Sequence, residues 1–403
     1  MRDGWGDDGG MRSISDDERR ARLALRHALV PARRVGDVVS AVEAMTCLHA
    51  TEPASVYLSA FARAEVSRTD IDKALYDERS VVKQLAMRRT VFAFPRSLLP
   101  AVWGSAADRV AGQQRAQLAK DVVKGGIADD GPGWVEATTS DVLAMLTSRG
   151  PMTTMQLRGE IPSLDARHTV AGGKAYTATV PIAPRVLTTL AAEGVILRGA
   201  NDGGWKTSRP LWTTTETWLG EPATPLKPDE GYAALVSSWL RTFGPGTEAD
   251  IVWWLGATKA AVRQAIVDVG AVEVSLEGGT TGWVHADDTD GVAGIEPWGA
   301  LLPALDPTTM GWKERAFYLG PHTAHVFDSN GNGGPTAWWD GRIVGGWHQR
   351  DDGEVVVELI DDIGADGSSA LDVEAARLTR WLAGDVVNTI YQTPLIRELR
   401  KRT

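Results

Sequence analysis

The sequence is poor in cysteine, in long apolar runs and in net positive charge. Cys47 is the only cysteine among 403 residues, which excludes an internal disulfide and is typical of a reducing compartment. No uninterrupted apolar run approaches the ~20 residues of a membrane-spanning helix. The first residues are acidic and glycine-rich, unlike a secretory signal. We therefore expect a soluble, cytoplasmic protein that is not a membrane protein.

The charge balance limits the partners that the protein can attract. Its 42 Lys and Arg residues face 52 Asp and Glu residues, which gives a net charge of −10. This excludes a general electrostatic attraction to nucleic acid, so any DNA binding requires a local basic face. Tryptophan is abundant, with 16 residues against 6 Tyr and 6 Phe, and we expect most of these rings in the core.

Start and stop signals divide the chain into several segments. Ser15 and Glu18 have the spacing of a capping box at the start of a helix. The stretch DKALYDERSVVKQLAMRRTVFAFP, residues 72–95, is interpreted as a helix that passes into a strand ended by Pro95. Gly- and Pro-rich linkers are predicted at residues 124–133 and 220–231.

One arrangement of signals recurs along the chain. A Gly-Pro break precedes a threonine that can N-cap a helix at Gly150-Pro151-x-Thr153 and at Gly244-Pro245-x-Thr247. A helical pair followed by a hairpin is typical of the winged helix-turn-helix, and EVSLEGGTTGWVHA, residues 273–286, has the pattern of such a hairpin. A common spacing of helix face and following strand is found three times: at Val81, Leu85, Arg89 and Val91; at Val186, Leu190, Gly194 and Ile196; and at Val262, Ile266, Gly270 and Val272.

The last hundred residues have a strand-dominated pattern. Short strands are predicted in WGALLPALD, RAFYLG, HTAHVFD, PTAWWDGRIVGGWHQ and GEVVVELIDDIG, before a last amphipathic helix in DVEAARLTRWLAG. The predicted fold is α+β, with three tandem winged-helix (helix-turn-helix) units followed by a small C-terminal β-barrel or sandwich and a closing helix. The boundaries are a disordered tail at 1–12, winged helices at 13–123, 134–219 and 232–290, and the β-domain with its C-terminal helix at 297–403.

Three phrases and this order of units resemble a known family. The phrases are LLPALDPTTMGWKERAFYLG (residues 301–320), AWWDGRIVGGW (337–347) and AAEGVILRG (191–199). They resemble the AlkZ/YcaQ-like DNA glycosylases, which bind DNA through tandem winged helices and excise bulky or cationic alkylated purines. In that family the joint inside the first winged helix carries a Gln-apolar-Gln or Gln-apolar-Asp motif that positions water. His49-Ala50-Thr51 occupies that position here, so neither glutamine is kept.

The resemblance makes His49 and Thr51 the candidate catalytic residues. Excision breaks an N-glycosidic bond through a cationic sugar, and a neutral imidazole can orient or deprotonate the attacking water. Thr51 can supply a second hydrogen bond to that water. The alternatives are structural: Thr51 can N-cap the next helix, and His49 can satisfy a carbonyl within the turn.

Other residues are candidates for contacts with DNA. Asp306, at the end of an apolar strand, either stabilises a cationic sugar or base as an accessory residue or caps the following turn. Each cation among the candidates can equally be an ordinary surface charge. The predicted DNA-binding residues are Arg88 and Arg89 before the first wing strand, Trp312, Lys313 and Arg315 in one loop, and Arg342 at a hairpin tip.

These observations predict a monofunctional DNA glycosylase that excises alkylated purines or bulky adducts. We expect double-stranded, damaged DNA as its partner, a monomeric state, no metal site and no nucleotide cofactor. The alternative is a non-catalytic winged-helix DNA-binding protein or transcriptional regulator. A scaffold that never touches nucleic acid is a third interpretation, which the acidic composition supports.

Overall fold

The computed structural model describes residues 11–172, 176–391 and 393–402. The predicted disordered tail therefore lies outside the described residues, except for Met11 and Arg12. The chain forms two compact units. The terminal unit comprises Met1–Leu48, Ser55–Ile71 and Ala233–Thr403, and the central unit comprises His49–Ala54 and Asp72–Tyr232.

Helices and small sheets alternate along the described residues. The helices are α1 (Asp16–Arg26), α2 (Val38–Glu43), α3 (Pro53–Arg63), α4 (Arg68–Asp72), α5 (Leu99–Val102), α6 (Asp108–Lys124), α7 (Gly131–Arg149), α8 (Thr154–Glu160), α9 (Ala183–Ala192), α10 (Thr215–Leu219), α11 (Pro228–Phe243), α12 (Glu248–Leu255), α13 (Lys259–Asp268), α14 (Pro307–Met310), α15 (Ala316–Leu319), α16 (Thr323–Val326), α17 (Gly364–Leu382) and α18 (Pro394–Arg402).

The strands form small sheets with the orders β1-β9-β10, β2-β4-β3, β5-β6, β7-β8 and β11-β12-β13-β14. Their bounds are β1 (Ser13–Ile14), β2 (Leu48–His49), β3 (Val81–Ala86), β4 (Thr90–Pro95), β5 (Arg167–Gly172), β6 (Tyr176–Pro181), β7 (Ile196–Asn201), β8 (Pro210–Thr214), β9 (Val272–Leu276), β10 (Thr281–Val284), β11 (Gly299–Leu302), β12 (Thr336–Trp339), β13 (Arg342–Gln349) and β14 (Val355–Leu359). The fold is mixed α+β. In the described part of the chain, no helix combines the length and the apolar character needed to cross a membrane.

In the central unit, α7, α8 and α9 are followed by the β7–β8 hairpin. Thr153 N-caps α8 with a capping box, as predicted. Val186 and Leu190 lie on the buried face of α9, which confirms that part of the spacing. The prediction of a helix through Val81–Ala86 is wrong, because these residues form β3, paired with β4. Residues four apart share a face in a strand as well as in a helix, so the i, i+4 spacing cannot separate the two.

The terminal unit repeats the same order of elements. Thr247 N-caps α12, and α13 precedes the β9–β10 hairpin, whose turn has Gly278 and Gly279 at φ of 84° and 83°. These predictions are confirmed. The short strand β1 extends the sheet of this hairpin, because its residues Ser13 and Ile14 pair in parallel with β9. Ser15 N-caps α1 by accepting the Glu18 N–H, which confirms the cap, while the Glu18 carboxylate binds Arg12 and Arg22 and does not complete the predicted capping box.

The C-terminal part is an open antiparallel sheet, and the expectation of a β-barrel or sandwich is wrong. The predicted hairpin at Asp340-Gly341 joins β12 to β13. Helix α17 packs on β11 and β14 and buries Leu371, Leu378 and Leu382. A helix therefore covers the apolar side of these strands, where a barrel or sandwich would use further strands.

Three other expectations for this region are also wrong. The segments RAFYLG and HTAHVFD form the single helical turns α15 and α16 where strands were predicted, because four-residue apolar runs do not separate helix from strand. The helix predicted to close the chain, α17, is followed by α18.

His27 occupies the aromatic core of the terminal unit. Its ring is fully buried, stacked on Trp312 and edge-on to Phe243. The ring nitrogens lie 2.9 Å from the Thr308 hydroxyl and 3.1 Å from the Thr242 carbonyl oxygen. Burial, reinforced by the charge of Arg63, lowers the pKa of His27 to about 3. The ring is therefore neutral wherever the protein is folded and near neutral pH.

We expect His27 to make the protein acid-sensitive. Below its ordinary pKa of about 6.5 the unfolded chain binds a proton there, while the folded chain does not, so stability falls as pH falls. By pH 5 this contribution reaches about 2 kcal/mol. Denaturant unfolding at pH 7.5 and pH 5.0 should show His27→Gln losing about 2 kcal/mol less than the wild type between the two values. Equal losses would contradict the assignment.

Candidate active site

His49 lies at the end of a short strand and not in a simple turn. The helices predicted on either side, α2 and α3, are both present. Between them β2 pairs with β4 of the neighbouring hairpin, and the Ala50 N–H donates to the Val91 carbonyl at 2.9 Å. This backbone hydrogen bond attaches the joint between α2 and α3 to the β3–β4 hairpin. A left-handed turn residue such as glycine is therefore not needed at His49.

The environment of the His49 ring keeps it neutral. The ring is half-buried and meets the edge of Phe92, with 5.2 Å between ring centroids. Its Nδ1 is buried and has no hydrogen-bond partner among the described residues, so the alternative in which this atom satisfies a turn carbonyl is not supported. Burial, with a smaller contribution from the charge of Arg88, lowers the pKa of His49 to about 3. Thr51, two residues further on, is exposed.

The hairpin that carries Phe92 ends in two arginines. Arg88 and Arg89 have φ of +54° and +61°, and the Thr90 N–H donates to the Met87 carbonyl across them. Such a turn usually holds Asn-Gly, because left-handed backbone strains larger side chains. Arg88 is half-buried and Arg89 exposed. They directly precede β4, the strand predicted to end at Pro95, but because Val81–Ala86 form β3 they lie at the tip of a hairpin and not before its first strand.

We expect Arg89→Gly to separate stability from binding at this turn. Glycine relieves the left-handed strain but gains unfolded-state entropy, so the net gain in unfolding free energy is about 0.5–1 kcal/mol. If the exposed charge contacts a nucleic acid, the same variant will weaken binding and flatten its salt dependence. Thermal melts and binding isotherms check both parts. A variant that is less stable than the wild type and binds nucleic acid with the same affinity would contradict this expectation.

The remaining candidates lie in the terminal unit and have different environments. Trp312 is buried, and its indole N–H donates to the Phe243 carbonyl at 3.0 Å. It is thus a core residue, and the prediction of a stacking surface at Trp312 is wrong. Lys313 is exposed, Arg315 is half-buried, and Arg342 is exposed next to the Asp340-Gly341 turn.

Asp306 is part of a buried ion pair. Its carboxylate lies 2.6 and 2.8 Å from the guanidinium of Arg63, and both side chains are completely buried. It also accepts the Ser59 hydroxyl at 2.7 Å and the Thr308 N–H at 2.9 Å. Burial opposes ionisation, but Arg63 and these hydrogen bonds hold the pKa of Asp306 below its usual value. The capping alternative is confirmed, and a carboxylate sealed in this way cannot touch a sugar.

Ser59 and Arg63 were not predicted from the sequence. They are four residues apart on α3, whose sequence PASVYLSAFAR is otherwise mainly apolar. Two polar side chains at i and i+4 on an apolar helix face indicate a buried polar partner. That signal was available, although it does not identify Asp306.

Comparison with known proteins gives the family. A model of the AlkZ-like DNA glycosylases, described as "DNA glycosylase AlkZ-like", matches residues 42–381. The chain belongs to the AlkZ-like DNA glycosylase family. The AlkZ-like match includes the His49 joint, the arginine hairpin and Asp306, and it confirms the resemblance drawn from the sequence. Helix α18 lies beyond the matched residues.

A solved structure has the same fold. The DNA glycosylase AlkZ of Streptomyces sahachiroi is similar, with a TM-score of 0.66 and 22% sequence identity over 93% of this chain and 98% of that one. The comparison of this chain with curated proteins found no match. At this identity the likeness establishes the fold, while the chemistry has to be argued from this chain's own residues.

Proposed function

We propose that this AlkZ-like protein is a monofunctional DNA glycosylase that acts on double-stranded DNA as a monomer. Its substrates are alkylated purines or bulky adducts, and it hydrolyses the N-glycosidic bond without metal or nucleotide cofactor. Family membership supports DNA repair as the general role. The observation that carries the proposal is the neutral ring of His49 in the same unit as a hairpin tip that presents Arg88 and Arg89.

The chemistry requires little of the protein when the base is already cationic. A purine alkylated at N7 or N3 carries positive charge and leaves readily, so a water held beneath C1′ of the sugar suffices. Because Nδ1 of His49 is sealed from solvent, Nε2 is the ring nitrogen that contacts this water. The exposed Thr51 hydroxyl provides the second hydrogen bond. With a pKa near 3 the ring is a weak base, so it orients the water and does not deprotonate it.

The three-part winged-helix organisation is also a proposal. The order of helices and hairpin in α7–α9 with β7–β8, and in α12–α13 with β9–β10, supports units at residues 134–219 and 232–290. The β3–β4 hairpin follows α3 and α4, as a first unit at residues 13–123 requires, although β1 pairs with β9 of the third unit. Arg88, Arg89, Lys313, Arg315 and Arg342 then contact phosphates, which position a duplex without reading its sequence.

The alternative function is a non-catalytic DNA-binding protein or transcriptional regulator. The observation that favours it is the replacement of the family's glutamine motif by His49-Ala50-Thr51. Such a protein keeps the cationic surfaces and loses the positioned water. Binding alone therefore cannot distinguish the two functions.

The deciding assay is release of free base from a duplex that contains 7-methylguanine. We expect release at equal rates with and without EDTA, and a complex of one protein with one duplex in gel filtration. A second duplex with a bulky adduct tests the wider substrate range. Tight binding of every lesion without release of base would favour the regulator instead.

A further inference from the structure

A cationic groove in the terminal unit includes none of the residues of the His49 joint. It has a volume of about 710 Å³ and brings the loop after α14 together with α16 and the first turn of α18. Three of its lining side chains are cations: Lys313, Arg315 and Arg397. In a protein of net charge −10, three cations around one cavity are a local reversal of the overall charge.

Arg315 is held in one orientation. Its guanidinium lies over the rings of Phe327 and Trp253, at 4.4 and 5.1 Å from their centroids. Its Nε donates to the Trp312 carbonyl at 3.1 Å. The terminal nitrogens form no hydrogen bond or ion pair with any described residue. A fixed fork with two free terminal nitrogens, which carry four N–H donors, is the geometry that binds a phosphate in bidentate fashion.

The other two cations are also uncommitted. Lys313 and Arg397 are exposed, and neither forms an ion pair within the described chain. By contrast, Arg22, Arg34 and Arg63 of the same unit are all paired with carboxylates. These unpaired charges therefore remain available to a ligand.

Among the described residues one acid lines the groove, and its carboxylate is hydrogen-bonded within its own turn. The carboxylate of Asp328 accepts the backbone N–H groups of Asn330 and Asn332 at 2.8 and 2.9 Å, and the side-chain amide of Asn332 at 2.9 Å. The described lining of the groove thus carries three cations against this single acid. The groove is suited to a polyanion.

We propose that this groove holds the phosphate backbone of DNA, so that α18 is part of the DNA-binding surface. The inference rests on the proposed function and extends it to a helix beyond the region that the family model matches. The two non-bridging oxygens of a phosphodiester accept hydrogen bonds that the Arg315 fork donates, and Lys313 and Arg397 supply positive charge for the same or adjacent phosphates.

The test compares Arg315→Gln and Arg397→Gln with the control Arg380→Gln in the full-length protein. Arg380 is an exposed arginine at the end of α17 that does not line the groove. Binding of an undamaged duplex is measured by fluorescence anisotropy over a series of salt concentrations. We expect each groove variant to bind about 3- to 10-fold more weakly, with the slope of log K against log salt reduced by about one, and the control to change less than about twofold.

The outcomes separate this inference from the proposed function. Groove variants that match the control in affinity and slope would overturn the inference, even if the wild type releases 7-methylguanine. Weakened binding in the groove variants would support it, even if no base is released, in which case the glycosylase proposal alone fails. A wild-type protein that binds no duplex would overturn both.

Discussion

We expect Arg63→Ala to lower the free energy of unfolding by about 3–5 kcal/mol, the usual cost of leaving one buried charge without its partner. Arg63 and Asp306 are both completely buried, and the guanidinium donates to both carboxylate oxygens. Removing the guanidinium leaves the Asp306 carboxylate with two hydrogen-bond donors among the described residues, the Ser59 hydroxyl and the Thr308 N–H. Denaturant unfolding at neutral pH measures the loss.

Two controls show whether the loss comes from the buried charge. Arg350 and Glu354 form a half-exposed pair on the surface, and Arg350→Ala should cost less than about 1 kcal/mol. The double variant Arg63→Met with Asp306→Asn should be less destabilised than the sum of its two single changes, because it leaves no unpaired ion. Additive losses, or an Arg63→Ala variant as stable as Arg350→Ala, would show that the pair contributes no special stability.

Local signals in the sequence predicted the capped helices and the hairpins well. Each of these features has a local physical cause. The cause is a helix cap at Thr153 and Thr247, and left-handed backbone at the Gly278-Gly279 and Asp340-Gly341 turns. Such causes act over three or four residues and can therefore be recognised from a single sequence. The family resemblance rested on three phrases and the order of units, and it was confirmed.

The errors have two origins, an ambiguous local spacing and long-range packing. A spacing of four residues fits helix and strand alike, so β3 was predicted as a helix. The burial of Trp312 depends on His27 and Phe243, which are distant in sequence. The pairing of Asp306 with Arg63 spans 243 residues. A local pattern can indicate that a buried partner exists but does not identify it, and the same limit applies to the groove that Arg397 completes.

We expect His49→Ala to abolish release of alkylated purines, with a loss of about a hundredfold or more in the single-turnover rate. Folding and binding should be retained, because the ring is half-buried and its Nδ1 has no hydrogen-bond partner to lose among the described residues. Thr51→Ala removes one exposed hydroxyl and should cost less than His49→Ala. Release that is unchanged in His49→Ala would remove this residue from the mechanism.

The variant His49→Gln distinguishes orientation of the water from its deprotonation. A glutamine amide can hydrogen-bond to a water but cannot take its proton, and glutamine stands at this position in the family motif. With the pKa of His49 near 3, orientation is the role that the environment permits. His49→Gln should therefore retain most of the activity, and the wild-type rate should show no inflection near pH 6.5 from this residue. An inactive His49→Gln variant with a pH-rate inflection near 6.5 in the wild type would instead identify a general base, and would mean that DNA binding restores the ordinary pKa of the ring.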